Sequence, residues 1–306
     1  MKRILPVFFC LILLFGGCGS RFSAPLQVAL ILRPGDEEYR RSLEEGARIA
    51  ALELDAELTV FSQPADQAEQ FAACLEESFD AIVVMPEDRS ALAPHAEQAR
   101  RKDIPFVTVD AETELDGSVS LVTSNSRQAC HMLAARIAEW TDGVGRAAIL
   151  GHSGAGEVAA RRGELLSEYF KTQTEITLAP PVTAPTEAAV RKAVERLLAE
   201  DPSVDISVGL DTVSVLGAAA AIADTDRDIR LFGFDCSHAQ AELLEKDVLL
   251  ATAVQSPYSM GYLSVQSACK ARQGGKVKER RYTPVVIITK NNMFVGINQK
   301  MVFPLE

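Results

Sequence analysis

The chain has 306 residues, enough for one large domain or two of medium size. Its 47% hydrophobic and 24% charged residues are an ordinary globular mixture. A formal charge of −11 argues against a nucleic-acid partner, because phosphate contacts need a basic face, and disfavours electrostatic attachment to anionic lipid.

The N-terminus opens with Lys2 and Arg3 and continues through an apolar run from Ile4 to Phe15, interrupted by Pro6 and Cys10. This order predicts a signal peptide over residues 1–17, too short to span a bilayer. Leu14–Cys18, LFGGC, resembles a bacterial lipobox. That resemblance implies that Cys18 is the lipidated first residue of the mature protein, with residues 18–25 as a tether. A plain cleaved signal is the other reading. Loss of Lys2 and Arg3 would take the formal charge from −11 to −13. Cys74, Cys130, Cys236 and Cys269 remain for the folded part, with no CxxC or metal spacing. The four histidines are scattered, so neither a metal site nor a cofactor is expected.

In chain order, residues 26–32 predict a strand and residues 37–54 a helix. Leu43, Ala47, Ala50, Ala51 and Leu54 recur in that helix at helical spacing. A strand over 58–61 and a helix over 67–78 follow. Asp80–Asp110 then runs through the strand AIVVM, an Ala-rich helix and the strand IPFVTV to a closing Asp. After an acidic loop, 119–123 is another strand. The alternation restarts with a helix over 127–140, a strand over 147–150, a helix over 158–170 and a strand over 176–178. Thr186 is placed to cap a helix over 187–199. Asp205–Asp235 repeats the plan of Asp80–Asp110 at the same length, with strands ISVGL and IRLFGF. A helix over 239–246 and a strand over 249–254 come next. Pro257 suits the first turn of a further helix, which Gly274 and Gly275 end. The last predicted strand is 285–289.

Short continuous apolar runs separated by helices imply parallel strands covered on both faces. The expected fold is α/β, two Rossmann-like lobes with parallel sheets and a cleft between them. Ligands of such sheets sit beyond the carboxyl ends of the strands. Asp110 and Asp235 therefore either face ligand space or cap the next helix. No low-complexity linker separates the halves, so the chain is expected to cross between lobes more than once.

The ordered segments LEEGARIAA, DAIVVMPEDRSALAPHAEQARRKDIPFVTVD, SNSRQACHMLA, GLDTVSVLGAAAAI, LFGFD and ATAVQSPYSMGYLSVQSA resemble the type I periplasmic solute-binding proteins, in the ribose-binding branch. The resemblance implies a three-crossing hinge near Thr123, near Gln255 and before Val285. Residues 26–123 and 256–284 then make one lobe, and 124–255 and 285–306 the other. It implies ligand contacts from Asp110, Asp235 and Gln255, with Tyr39 stacking on a sugar ring. Asp36 and Glu37 fall where ribose binders use Asn. The Arg before the second-lobe helix falls on Ala160 or, one residue on, Arg161. Asp211 lies beside Leu210, which replaces an Asn, although helix capping also accounts for it. Met85 replaces a polar residue, and Ala111 stands where ribose binders carry an Arg. These departures point away from ribose itself. Gln255 could instead satisfy hinge backbone, and Tyr39 could be a packing aromatic.

Carboxylates accept from the hydroxyls of a polyol. Two such groups on facing lobes would repel until a ligand lies between them. The function expected is a lipid-anchored, extracytoplasmic, monomeric binder without catalysis, delivering a sugar-like solute to an ABC permease. A sensor kinase or chemoreceptor subunit is the alternative. Gly151–Ala155, GHSGA, approaches the hydrolase nucleophile elbow and makes Ser153, with His238 as base, a remote esterase alternative.

Overall fold

The computed structural model describes residues 24–62 and 66–303. The expected leader, Cys18 and most of the tether lie outside them. The first stretch comprises β1 (Leu26–Ile31), α1 (Glu37–Glu53), β2 (Ala56–Phe61), α2 (Gln67–Glu76), β3 (Ala81–Val84), α3 (Arg89–Arg101), β4 (Phe106–Val109) and β5 (Ser120–Ser124). The second comprises α4 (Ser126–Thr141), β6 (Val144–His152), α5 (Gly156–Gln173), β7 (Glu175–Leu178), β8 (Val182–Ala184), α6 (Glu187–Glu200), β9 (Ile206–Gly209), α7 (Thr212–Ala223), β10 (Arg230–Phe234), α8 (His238–Glu245) and β11 (Leu249–Gln255). The tail adds α9 (Pro257–Arg272), β12 (Arg280–Thr283), β13 (Val285–Ile288) and α10 (Ile297–Val302).

The strands form two sheets, as the predicted α/β class requires. The first has the order β12-β5-β4-β3-β1-β2, and the second β13-β11-β10-β9-β6-β7, with β8 also on β6. Every pairing is parallel except β13 on β11. The chain leaves the first sheet after β5, and α4 packs on α5 and β11. It returns after β11, where α9 lies against α1 and β3–β5. It crosses again between β12 and β13, at Pro284.

Burial on both faces explains the apolar runs. Val28 and Leu30 of β1 enter one core cluster, while Ala29 and Ile31 enter the cluster on the opposite face. The helices α1 and α9 approach closely because both carry Gly at the crossing. A Cβ on Gly46 would stand 1.9 Å from the Tyr258 carbonyl oxygen, and one on Gly261 1.8 Å from that of Leu43.

Three elements went unread in the sequence. β8 has three residues and α10 has six, too few for a period to show. β12, RRYT, lies at a sheet edge, with Arg280 exposed and Arg281 donating to Gln266 and Ser267 of α9, so it lacks the apolar run of its neighbours.

Candidate functional site

Asp110 and Asp235 follow β4 and β10 and adopt the same left-handed backbone, with φ of 52° and 63°. Asp tolerates this region better than most residues. Each backbone N–H is held by the neighbouring strand, Asp110 on the Val122 carbonyl at 2.9 Å and Asp235 on that of Ala253 at 3.0 Å. Neither side chain caps a helix. Ser237 caps α8 through a capping box with Gln240, and β5 rather than a helix follows Asp110. Both carboxylates are therefore left for the cleft.

Each carboxylate meets an arginine of its own lobe. Arg33, just past β1, donates Nη2 to Asp110 Oδ2 at 2.8 Å and Nη1 to the Asp110 carbonyl at 3.1 Å. Arg162, on α5, donates Nη1 to Asp235 Oδ2 at 3.0 Å and Nη2 to Oδ1 at 3.3 Å. It also donates to the Leu210 carbonyl at 2.7 Å and lies 4.5 Å over the Phe234 ring. Burial opposes the Arg162 charge, yet Asp235 outweighs it and holds the guanidinium pKa above its ordinary value. Gln255 donates Nε2 to Asp235 Oδ1 at 2.8 Å and accepts from the Ser124 hydroxyl. One hinge segment is thereby tied to another and to the cleft carboxylate.

These groups line a cavity of about 290 Å³ between the lobes. Tyr39 lies in its wall, its hydroxyl donating to the Met260 sulfur at 3.5 Å. Burial, then the Asp110 and Asp235 charges, raise the Tyr39 pKa well above its usual value, so it stays a neutral phenol. The second oxygen of Asp110, Oδ1, is buried and has no hydrogen-bond partner. A buried acceptor left open costs about 1–3 kcal/mol, which a ligand hydroxyl would recover.

Residues 28–276 match the family model of the periplasmic binding protein domain. The chain belongs to this family. It is 23% identical over 277 residues to the ribose import binding protein of Bacillus subtilis, covering 90% of this chain and 89% of that one. Among solved structures, an ABC transporter solute binding protein of Agrobacterium vitis with bound D-fucose superposes with a TM-score of 0.84 at 22% identity, covering 90% of this chain and 99% of that chain. A myo-inositol-bound ABC transporter solute binding protein of Bacillus halodurans gives 0.80 at 21% identity, covering 89% of this chain and 97% of that one. These likenesses establish the two-lobed type I fold of a periplasmic binding protein.

Within that fold, the residues singled out in the sequence separate into two groups. Asp110, Asp235, Gln255, Tyr39, Asp36 and Asp211 all line the cavity. Asp36 caps α1 by accepting from the Tyr39 N–H at 3.0 Å. Asp211 caps α7 and accepts from the His152 N–H at 3.1 Å; burial raises its pKa against the pull of those bonds. Glu37 is exposed in the first turn of α1, outside the cavity lining. Arg161 turns away and pairs with Glu164 at 2.7 Å, and Arg162 takes the inward place. The inward phase of α5 runs through Val158, Ala159, Arg162, Leu165 and Leu166, so helical spacing could have found Arg162. Arg33 was missed too, although it directly follows an apolar strand on the ligand side.

The two arginines correct the electrostatic expectation. Asp110 and Asp235 are each neutralised within their own lobe, so carboxylate repulsion does not hold the cleft open. The lobes do in fact touch. Glu38 of α1 accepts from the His238 N–H and meets its Nδ1, both at 2.9 Å, and Glu157 accepts from the Glu112 N–H at 3.0 Å. Ser153 is exposed, and its proposed base His238 is engaged by Glu38. Among the described residues, no His, Cys, Asp and Glu cluster could hold a metal ion, and no helix is long and apolar enough to cross a membrane.

Proposed function

We propose that this protein captures a neutral sugar or polyol between its lobes outside the cytoplasm and presents it to an ABC importer. It does so as a monomer tethered through lipidated Cys18, with no chemical step. The observation that carries the reading is the buried, unpartnered Oδ1 of Asp110, a residue that lines the cavity together with Arg33, Arg162 and Gln255. A hydroxyl can donate to that oxygen and accept from an arginine N–H at once. The ligand is taken as neutral because Arg33 and Arg162 each already balance an aspartate, and Arg40, the third arginine of the lining, donates to the Ser62 carbonyl. Relatives named for ribose and xylitol, and a structural neighbour with bound myo-inositol, support the same ligand class. Closure about the three crossings then reports occupancy to the membrane partner.

The test is a thermal-shift and calorimetry screen of the chain from Arg21 onward against pentoses, hexoses, pentitols and inositols. Ligand at a hundred times its dissociation constant should add about 2.7 kcal/mol of stability. A folded protein that responds to none of them, but does respond to sugar acids or phosphates, sinks the neutral-polyol reading. Membrane partitioning of the full chain with Cys18→Ala tests the anchor. Retention of the variant on the membrane would refute it.

A further inference from the structure

A second cavity, of about 350 Å³, adjoins the first. Asp36, Tyr39, Thr212, Asp235 and Gln255 line both, so the two spaces share one wall. Their chemistry differs. The first space is walled by the two aspartate–arginine pairs together with Asp36, Asp211 and Arg40. The second is walled on its far side by Val254, Pro257, Met301, Val302 and Phe303, which come from β11, the start of α9 and the end of α10. Cys236, half-buried with its thiol pushed up to about 12 by burial, adds a neutral sulfur surface. Glu38 and Arg41 also border this space, and one buried polar atom of its lining is left without a partner. Ser42 is 1% exposed, lines this cavity, and its Oγ has no partner. The rim is closed by the Glu38–His238 contact between the lobes, and the His238 ring packs edge-on against Phe303 at 5.9 Å.

A monosaccharide or pentitol satisfies the first space and leaves the second unused. We propose that the natural ligand is a glycoside: its polyol part sits between Asp110 and Asp235, and an apolar, flat aglycone sits against Val254, Met301 and Phe303, with one polar atom of the aglycone meeting Ser42 Oγ. This inference rests on the sugar-binding reading above. The placement of α10 gives that short helix a role, because its last two residues and Phe303 supply one side of the compartment.

The experiment compares matched pairs by calorimetry on the full soluble chain: ribose, galactose and glucose against their phenyl and p-nitrophenyl glycosides. At least one aryl glycoside should bind at least about tenfold more tightly than its parent sugar, a difference of about 1.4 kcal/mol. Met301→Trp and Cys236→Phe, which fill the second space, should each bring the glycoside-to-parent affinity ratio back to about one. Two variants on different elements guard against one failing to fold. If parent sugars bind and the aryl glycosides gain nothing or are excluded, the second compartment is refuted while sugar binding stands. An advantage that survives in both filled variants also refutes it, because the aglycone then lies elsewhere. If neither parents nor glycosides bind to a folded protein, the sugar reading fails and this inference fails with it.

Discussion

Asp110 and Asp235 occupy the same step of two equal-length repeats, share a left-handed backbone, and are each held by the next strand of their sheet. Their surroundings differ. Asp235 has both oxygens occupied, by Arg162 on one side and by Arg162 and Gln255 on the other. Asp110 has one oxygen on Arg33 and one buried oxygen on nothing. The duplicated architecture thus carries two unlike carboxylates. The second-lobe aspartate is part of a closed network that ties α5 to a hinge segment. The first-lobe aspartate keeps one buried oxygen without a hydrogen-bond partner.

The largest expected effect tests the closed network. Arg162 is 4% exposed at its side chain, and Arg162→Ala would strand the Asp235 carboxylate beside a core. Leaving a buried charge unpaired costs about 3–5 kcal/mol. Denaturant unfolding should show that loss. A loss below about 1 kcal/mol would mean that the second lobe tolerates a bare carboxylate and that the contrast between the aspartates is false. The helix crossings separate the lobes next. In the first lobe, Gly261→Ala drives a Cβ to 1.8 Å from the Leu43 carbonyl oxygen, which belongs to helix backbone and cannot turn aside. About 2–3 kcal/mol of destabilisation should follow. In the second lobe, a Cβ on Gly217 meets the Glu187 carbonyl oxygen at 2.7 Å, so Gly217→Ala should cost less. The reverse order in a melting comparison would show that the second lobe is the more tightly packed of the two.

Binding should divide the aspartates the other way. Asp110→Asn replaces an open carboxylate oxygen and weakens the Arg33 pair, with affinity for the ligand falling at least about tenfold while the fold remains cooperative. Asp235→Asn should cost stability first, because it loosens the Arg162 and Gln255 network together. Calorimetry and unfolding on both variants decide this. Equal losses of affinity and equal losses of stability would make the two sites equivalent.

Much of this arrangement could be read from the chain. Fully buried strands announce themselves as apolar runs, and the repeated Asp after the strand located both cleft carboxylates. Their charge partners were harder. Arg33 lies in a loop, where no periodicity ranks one residue over another. Arg161 and Arg162 are adjacent in sequence but about a quarter-turn apart on the helix, and only the buried phase separates them. The open Oδ1 of Asp110 and the second cavity are properties of packing between segments distant in sequence, and no local pattern encodes them.

The smallest effect lies where the lobes meet. Glu112 follows the first cleft aspartate closely, accepts from the Ser126 hydroxyl at the first crossing, and is half-buried. Burial raises its pKa, against the pull of Ser126 and then Arg162. For an acid raised in the folded state, the native protein binds the proton longer than the unfolded chain does. Stability from this group is therefore greatest below the ordinary carboxylate value and falls as pH rises toward the folded-state pKa. Glu112→Gln keeps an oxygen for Ser126 and removes the charge. The variant should match the parent protein in acid and gain slightly on it above the carboxylate range, as read from unfolding midpoints across pH. A gain confined to acid pH would reverse the sign and show that the Glu112 charge is stabilised by Arg162 across the cleft. Closure would then be an electrostatic property of both lobes, and the neutrality of each aspartate–arginine pair would no longer describe the cleft.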